Sequence, residues 1–185
     1  KSFLMLLIII PFWTNFLIRV YAWIAVLGNN GFINQFLLKI GLIKDYIGML
    51  YNNNAVILVM VYTYLPYAIL PLYAIIEKFD FSLLEAARDL GASKSQSVFR
   101  ILIPNIKSGI ITSLLFTFIP AFGNYAIPQI IGDKNTNMLG TVIARELTTG
   151  RNWPLASAIS MLLTLVTVIG VLVFTSKQKN IKKVI

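Results

Sequence analysis

Apolar residues in this chain fall into long runs, and polar residues gather in the connections between them. The first run, Phe3 to Phe12, carries Pro11 near its end. As a helix it reaches only about 15 Å, half of the roughly 30 Å of hydrocarbon in a bilayer. It is therefore expected either to begin ahead of Lys1 or to continue through Pro11 to about Val20. Ala55 to Ile76 has the length of a span and contains Pro66 and Pro71. Ile106 to about Phe122 is a third run, broken at its far end by Pro120, Gly123 and Pro128. Leu155 to Phe174 carries no charge, and its small and hydroxyl residues, from Ala156 and Ser157 to Gly170, allow close helix approach. Membrane spans are thus predicted over about 3–20, 55–76, 106–122 and 155–174.

The connections have patterns of their own. Phe16, Leu17, Val20, Tyr21 and Ile24 share one helical face, and Gly28-Asn29-Asn30-Gly31 reads as a turn. Ile33, Phe36, Leu37 and Ile40 form a second amphipathic face, closed by Gly41. Such helices suit the membrane interface, the mouth of a path, or simple packing onto neighbouring spans.

The longest polar interruption with a local helix signal is Ser82 to Pro104, SLLEAARDLGASKSQSVFRILIP. Ser82 and Glu85 have capping-box spacing, and Leu83, Ala86, Ala87 and Leu90 fall on one face. Gly91 stops that helix by taking the left-handed conformation. Ser93 and Gln96 repeat the box and start a second short helix through Val98, Phe99, Leu102 and Ile103. Pro104, without an amide hydrogen, prevents a simple continuation. The prediction is helix, glycine corner, helix, held between two spans.

Composition narrows the class. Hydrophobic residues make up 57% of the chain and charged ones 12%, too apolar for an ordinary soluble domain and fitting an integral membrane protein. The absence of Cys and His excludes thiol nucleophiles, disulfides and His/Cys zinc sites. The formal charge of +9 sits beside apolar runs, which fits anionic headgroups rather than nucleic acid. Lys78, Arg88, Lys94, Arg100 and Lys107 lie between Glu77 and Lys107, and Lys177, Lys179, Lys182 and Lys183 follow Phe174. The opposite connections carry Arg19, Lys39 and Lys44, then Lys134, Arg145 and Arg151. That asymmetry, nine against three and three, predicts a cytoplasmic Ser82–Pro104 loop and tail. No phosphate-binding G-x-x-x-x-G-K-[ST] stretch is present, and no predicted span has an interior Asp or Glu of the kind ion-coupled transporters use. No constellation suggests an enzyme.

Glu85-Ala86-Ala87, three residues, Gly91, nine residues, then Ile101-Leu102-Ile103-Pro104 resembles the EAA loop of ABC-importer permeases. The one departure is Ile103, where that family usually has Leu. PFWTNFLIRVYAW from Pro11 to Trp23, EAARDLGAS, and RNWP from Arg151 to Pro154 resemble segments of the spermidine/putrescine permeases. The resemblance implies an all-α polytopic membrane helix bundle of the ABC-importer permease type, here the C-terminal part of a longer, inner-membrane chain. It implies ATP-driven polyamine import, with iron, thiamine, phosphonate or sulfate as alternative solutes and an ion-coupled secondary transporter as the competing class. It further implies an ATPase dimer that binds ATP and Mg, a second permease subunit, an extracytoplasmic solute-binding protein and membrane lipid as partners. This chain itself would carry no cofactor. Glu85, Ala86, Ala87, Gly91, Ile101 and Pro104 would then couple it to the ATPase. A polyamine carries two to four positive charges, so aromatic faces and acids are the candidate path residues: Trp13, Tyr21, Tyr62, Tyr125, Asp133, Glu146 and Trp153. Taken singly, each aromatic better suits an interface anchor.

Overall fold

The structure is a computed structural model that describes residues 2–181, and every regular element among them is helical. Lys182 and Lys183 of the basic tail lie outside the described residues.

The first apolar run is divided, so the helix does not continue unbroken through Pro11 to Val20. Helix α1 covers Ser2–Ile9, a 3₁₀ turn covers Ile10–Trp13, and α2 covers Phe16–Leu27. Pro11 sits at the start of the 3₁₀ turn, where its missing amide costs nothing. Thr14 is extended, and the Asn15 side chain then accepts from the Leu17 amide at 2.9 Å, starting a new helix. The motif folds back on itself. The Arg19 guanidinium lies 4.9 Å over the Phe12 ring, and its Nη1 donates to the Pro11 carbonyl at 3.4 Å.

The Gly28–Gly31 turn forms as expected and leads into α3, Phe32–Lys39, which ends at Gly41 with φ +74°. Asn34 on α3 is fully buried and acts as a staple. Its Nδ2 donates to the carbonyls of Gly28 and Ile47 at 3.1 and 2.9 Å, and its Oδ1 accepts from the Ile47 amide at 3.0 Å. The turn before α3 and the loop after it are thus tied to one amide. Phe16–Lys39 is long and apolar enough to cross a membrane only if α2 and α3 are taken together. They pack against each other across the turn, however, and α2 alone reaches about 18 Å.

Helix α4, Asn53–Glu77, is capped by the Asn52 side chain, which accepts from the Ala55 amide at 2.8 Å. Pro66 and Pro71 do not interrupt it, although each leaves a carbonyl one turn back without its usual donor. After α4 come α5 (Ser82–Asp89), α6 (Lys94–Ser97), a π-turn (Val98–Leu102) and α7 (Ile103–Phe122). Then follow α8 (Ala126–Ile131), α9 (Leu139–Thr148) and α10 (Trp153–Ile181). Asn53–Glu77, Lys94–Phe122 and Trp153–Leu172 are each long and apolar enough to cross a membrane without a turn. Leu162, Val166, Ile169 and Leu172 on α10 are exposed, a surface that needs lipid or other helices as its solvent.

Two compact units divide the chain. The first comprises the chain up to Pro66 together with Pro120–Leu165. Its core gathers Val20 and Leu27 of α2, Ala55, Val56 and Val59 of α4, and Ile127 and Ile131 of α8. The second comprises Tyr67–Ile119 and the chain from Val166 onward. Here α4 and α7 approach so closely that a Cβ on Gly109 would lie 2.6 Å from Ile75 Cδ1. The Ser113 hydroxyl donates to the Ala68 carbonyl at 2.6 Å, tying the same two helices. Gly109→Ala is expected to destabilise the protein by about 1–3 kcal/mol through overpacking. Ile75→Val should recover part of that loss. A thermal midpoint in detergent that is unchanged in the single variant would show that the helices separate freely.

Candidate functional site

The loop after α4 is locked at each corner. The structure does not form the expected Ser82–Glu85 box. Ser82 is already inside the helix, and Asp80 takes its amide on Oδ1 at 3.0 Å. Hydrogen bonds from the Ser82 side chain and backbone hold the Asp80 carboxyl below its ordinary range. Asp80 therefore favours the folded start of α5 above the usual carboxylate pKa, and this contribution fades as pH falls through the lowered value. Glu85, freed from capping, is exposed and makes no hydrogen bond or ion pair among the described residues.

The far end of α5 closes as a Schellman motif. The Ala92 amide reaches the Ala87 carbonyl at 3.0 Å and the Gly91 amide reaches Arg88 at 2.9 Å, with Gly91 at φ +88°. The second box forms as expected: Ser93 Oγ accepts from the Gln96 amide at 3.2 Å and Gln96 Oε1 from the Ser93 amide at 3.0 Å. Leu84 is the buried residue of α5, which packs on α6 and the π-turn. The inward line is thus Leu84 and half-buried Ala87, so of the expected stripe only Ala87 turns inward. Leu83 and Ala86 point outward, and Leu90 is 90% exposed.

Pro104 does not stop the chain either. In the π-turn the Ile103 amide donates to Val98, five residues back, and this wider turn admits a residue without an amide hydrogen. Asn105 Nδ2 then covers the Ile101 carbonyl at 2.8 Å. The loop therefore runs unbroken into Lys94–Phe122. Of the six coupling candidates, Glu85, Ala86, Gly91 and Pro104 are exposed, and Ala87 and Ile101 are half-buried.

The far end of α7 is tied by a knot the sequence did not reveal. The helix ends after Pro120, leaving the Pro120 carbonyl to accept from Tyr64 Oη at 3.1 Å. Asn124 Nδ2 donates to Tyr64 Oη at 2.7 Å, and its Oδ1 accepts from the Ile127 amide at 3.0 Å, starting α8. Gly140 of α9 lies against the Asn124 backbone. In the sequence Asn124 stands as a polar residue beside the break at Gly123. Tyr64, in a row of aromatics, carried no distinguishing mark.

The path candidates do not form one group. Tyr62 packs edge-on against Trp23, with ring centroids 5.2 Å apart. Tyr125 and Asp133 line a cleft of about 360 Å³ between α8 and α9. Glu146 is not brought to Asp133; it lies beside Arg145, 3.9 Å from Nε, and against Gly150. Tyr21 and Trp153 are exposed, and Trp13 is 85% exposed.

The family model for the inner membrane component of binding-protein-dependent transport systems matches residues 1–182. The chain belongs to this family. This inner membrane component is 40% identical over 183 residues to the spermidine/putrescine transport system permease protein PotB of Escherichia coli (strain K12), covering 99% of this chain and 66% of that protein. It is 39% identical to the protein of the same name from Haemophilus influenzae, covering 99% and 64%. It thus spans just under two thirds of the length of these relatives. The crystal structure of a bacterial ABC transporter involved in the import of the acidic polysaccharide alginate matches with a TM-score of 0.73 at 19% identity, over 97% of this chain and 66% of that one. The fold is accordingly that of an ABC-importer permease, an all-α membrane helix bundle.

Proposed function

We propose that this inner membrane component is a permease subunit of an ATP-driven importer that carries spermidine and putrescine inward. The observation that carries the proposal is the 39–40% identity to spermidine/putrescine permeases along 99% of the chain. The loop's exposed face supports the coupling half of the reading. Glu85, Ala86 and Leu90 present an unoccupied acid and apolar surface on a helix closed at its far end by hydrogen bonds. A partner ATPase dimer binds ATP with Mg and hydrolyses it; this chain supplies the surface on which that dimer pulls. A lever must resist bending, and the Schellman corner and the Ser93–Gln96 box supply that stiffness. The unbroken helix from Lys94 then carries displacement into the membrane. The excess of basic residues in the loop and tail supports placing both in the cytoplasm. A second permease subunit completes the path, and an extracytoplasmic binding protein delivers the solute.

Aromatic faces are the path's candidate contacts for a polycation, with Tyr62 and Trp23 already paired. The acids contribute less. Asp133 accepts from the Asn135 amide and the Thr136 hydroxyl, both at 2.9 Å, so its charge is engaged by its own loop.

The test is uptake of labelled spermidine by cells carrying the complete transport operon. Saturable uptake that unlabelled putrescine competes with, and that disappears when the ATPase gene is deleted, is the expected result. Uptake that survives the deletion would overturn ATP coupling. Absence of spermidine uptake in the intact system would overturn the solute.

A further inference from the structure

Helix α3 is built from three sectors, and only one of them is covered. At about 100° per residue, Ile33, Asn34, Leu37 and Leu38 fall on one side, where they are buried or half-buried. The remaining arc is exposed and is itself divided. Phe32, Phe36 and Ile40 run along one edge, 73%, 53% and 50% exposed. Gln35 and Lys39 run along the other, also exposed. The two phenyl rings are stacked, with centroids 6.3 Å apart and planes 13° from parallel. Past the Gly41 corner, Leu42 is 69% exposed.

The chain does not cover this apolar edge itself. Asn34 bonds to the Gly28 carbonyl ahead of the helix and to the Ile47 backbone beyond it, which fixes the roll of α3. Turning the phenyl rings inward would strip those three hydrogen bonds from a buried site. The cover must therefore come from outside.

The sector pattern selects that cover. A helix within hydrocarbon is apolar over its whole outer arc, and one in water is polar there. An apolar edge beside a polar edge fits the boundary between the two. A protein that docks and leaves would bare the phenyl pair between visits, whereas lipid covers an apolar patch at all times. Charge agrees in sign and adds little. Lys39 can reach headgroup phosphates on its flexible stem, while neighbouring Lys44 and Asp45 cancel.

We propose that α3 lies flat in the phospholipid headgroup layer as an interfacial anchor. Phe32, Phe36 and Ile40 sink toward the acyl chains, and Lys39 reaches back to the phosphates. Helix α4 separates α3 from the basic loop in the chain, so with α4 crossing the membrane the anchor meets the surface away from that loop. Asn34 ties α3 to the segment that leads into α4, so the anchor sets the depth at which this end of α4 enters the bilayer. The proposal rests on the membrane family alone and holds whichever solute is carried.

The test is spin labelling of the complete transporter in nanodiscs of phosphatidylethanolamine and phosphatidylglycerol. These 185 residues contain no cysteine, so single labels are placed by Phe32→Cys, Phe36→Cys, Ile40→Cys, Gln35→Cys and Asn30→Cys, with cysteines elsewhere in the complex replaced. All five positions are exposed, so a label displaces nothing packed. Collisions with oxygen, concentrated among acyl chains, and with a water-soluble nickel chelate then report depth. Labels at Phe32, Phe36 and Ile40 should favour oxygen, about 5–10 Å into the headgroup and acyl boundary. Labels at Gln35 and Asn30 should favour nickel. Apolar-edge labels that meet nickel as freely as the Asn30 label would place α3 in water and overturn the anchor. Labels immobilised and shielded from both reagents would overturn it in favour of a protein cover, and removing the binding protein would show whether that cover is the binding protein or a permease subunit.

Discussion

Spermidine uptake should fall to background in Gly91→Pro, with the protein still in the membrane but no longer retaining the ATPase. Gly91 has φ +88°, and proline is confined near −65°, so the corner cannot form. Proline also deletes the amide that reaches Arg88. Nothing lies within 4 Å of a Cβ built on Gly91, so crowding plays no part and the effect is conformational. That makes a graded series possible. Gly91→Asn, which tolerates the left-handed region, should lose least, and Gly91→Ala should lose about 1–2 kcal/mol of loop stability. Uptake and ATPase pull-down, measured on the same membranes, should fall in the order Asn, Ala, Pro. Normal uptake in the proline variant would mean that the loop does not couple this chain to ATP hydrolysis.

Gly140→Ala should produce a large loss of stability in the other unit. A Cβ there would lie 2.6 Å from the Asn124 carbonyl oxygen, 2.8 Å from its carbon, and 2.8 Å from the Gly123 oxygen. All three are backbone atoms, so no side chain can swing aside. Overpacking against movable neighbours costs about 1–3 kcal/mol, and a rigid backbone places this variant at the upper end or beyond. The damage falls on the segment that ties Tyr64, Pro120 and α8 together. Tyr64→Phe, which removes only the hydroxyl, should cost about 1 kcal/mol. Thermal unfolding in detergent should therefore rank Gly140→Ala well below Tyr64→Phe, and both below wild type. Equal midpoints for the two variants would show that α9 is free to shift away from Asn124.

What the sequence disclosed and what it hid follow from the range of the interactions involved. The long helix at Asn53–Glu77 was legible because apolar length alone suggests it, and the corner at Gly91 because its caps use residues within a few positions. The division of the first run was hidden because Pro11 by itself is compatible with a continuing helix. The deciding event is the Asn15 cap, which competes locally with that continuation. Ser82 and Asp80 posed a similar contest, won by the carboxylate two residues earlier. Pro104 reads as a stop in a regular α-helix, and only the π-turn before it admits it. The Tyr64–Asn124 bond spans 60 residues, and no local pattern encodes it. Asp133 and Glu146 shared a sign, but one belongs to a loop and the other to a helix face that turns away.

The π-turn at Val98–Leu102 also sets a rotational phase. Successive residues of an α-helix differ by about 100° around its axis. A five-residue turn in place of a tighter one displaces everything after it by about one residue's angle. Deleting a single residue between Val98 and Leu102 would let the chain relax to ordinary α geometry while rotating the short helix and its glycine corner about the axis of α7. Glu85 and Leu90 would then present themselves to a different bearing, with every cap intact and every side chain of the exposed face unchanged. If the loop couples to an ATPase as proposed, the direction of that coupling is set by an angle, stored in one widened turn.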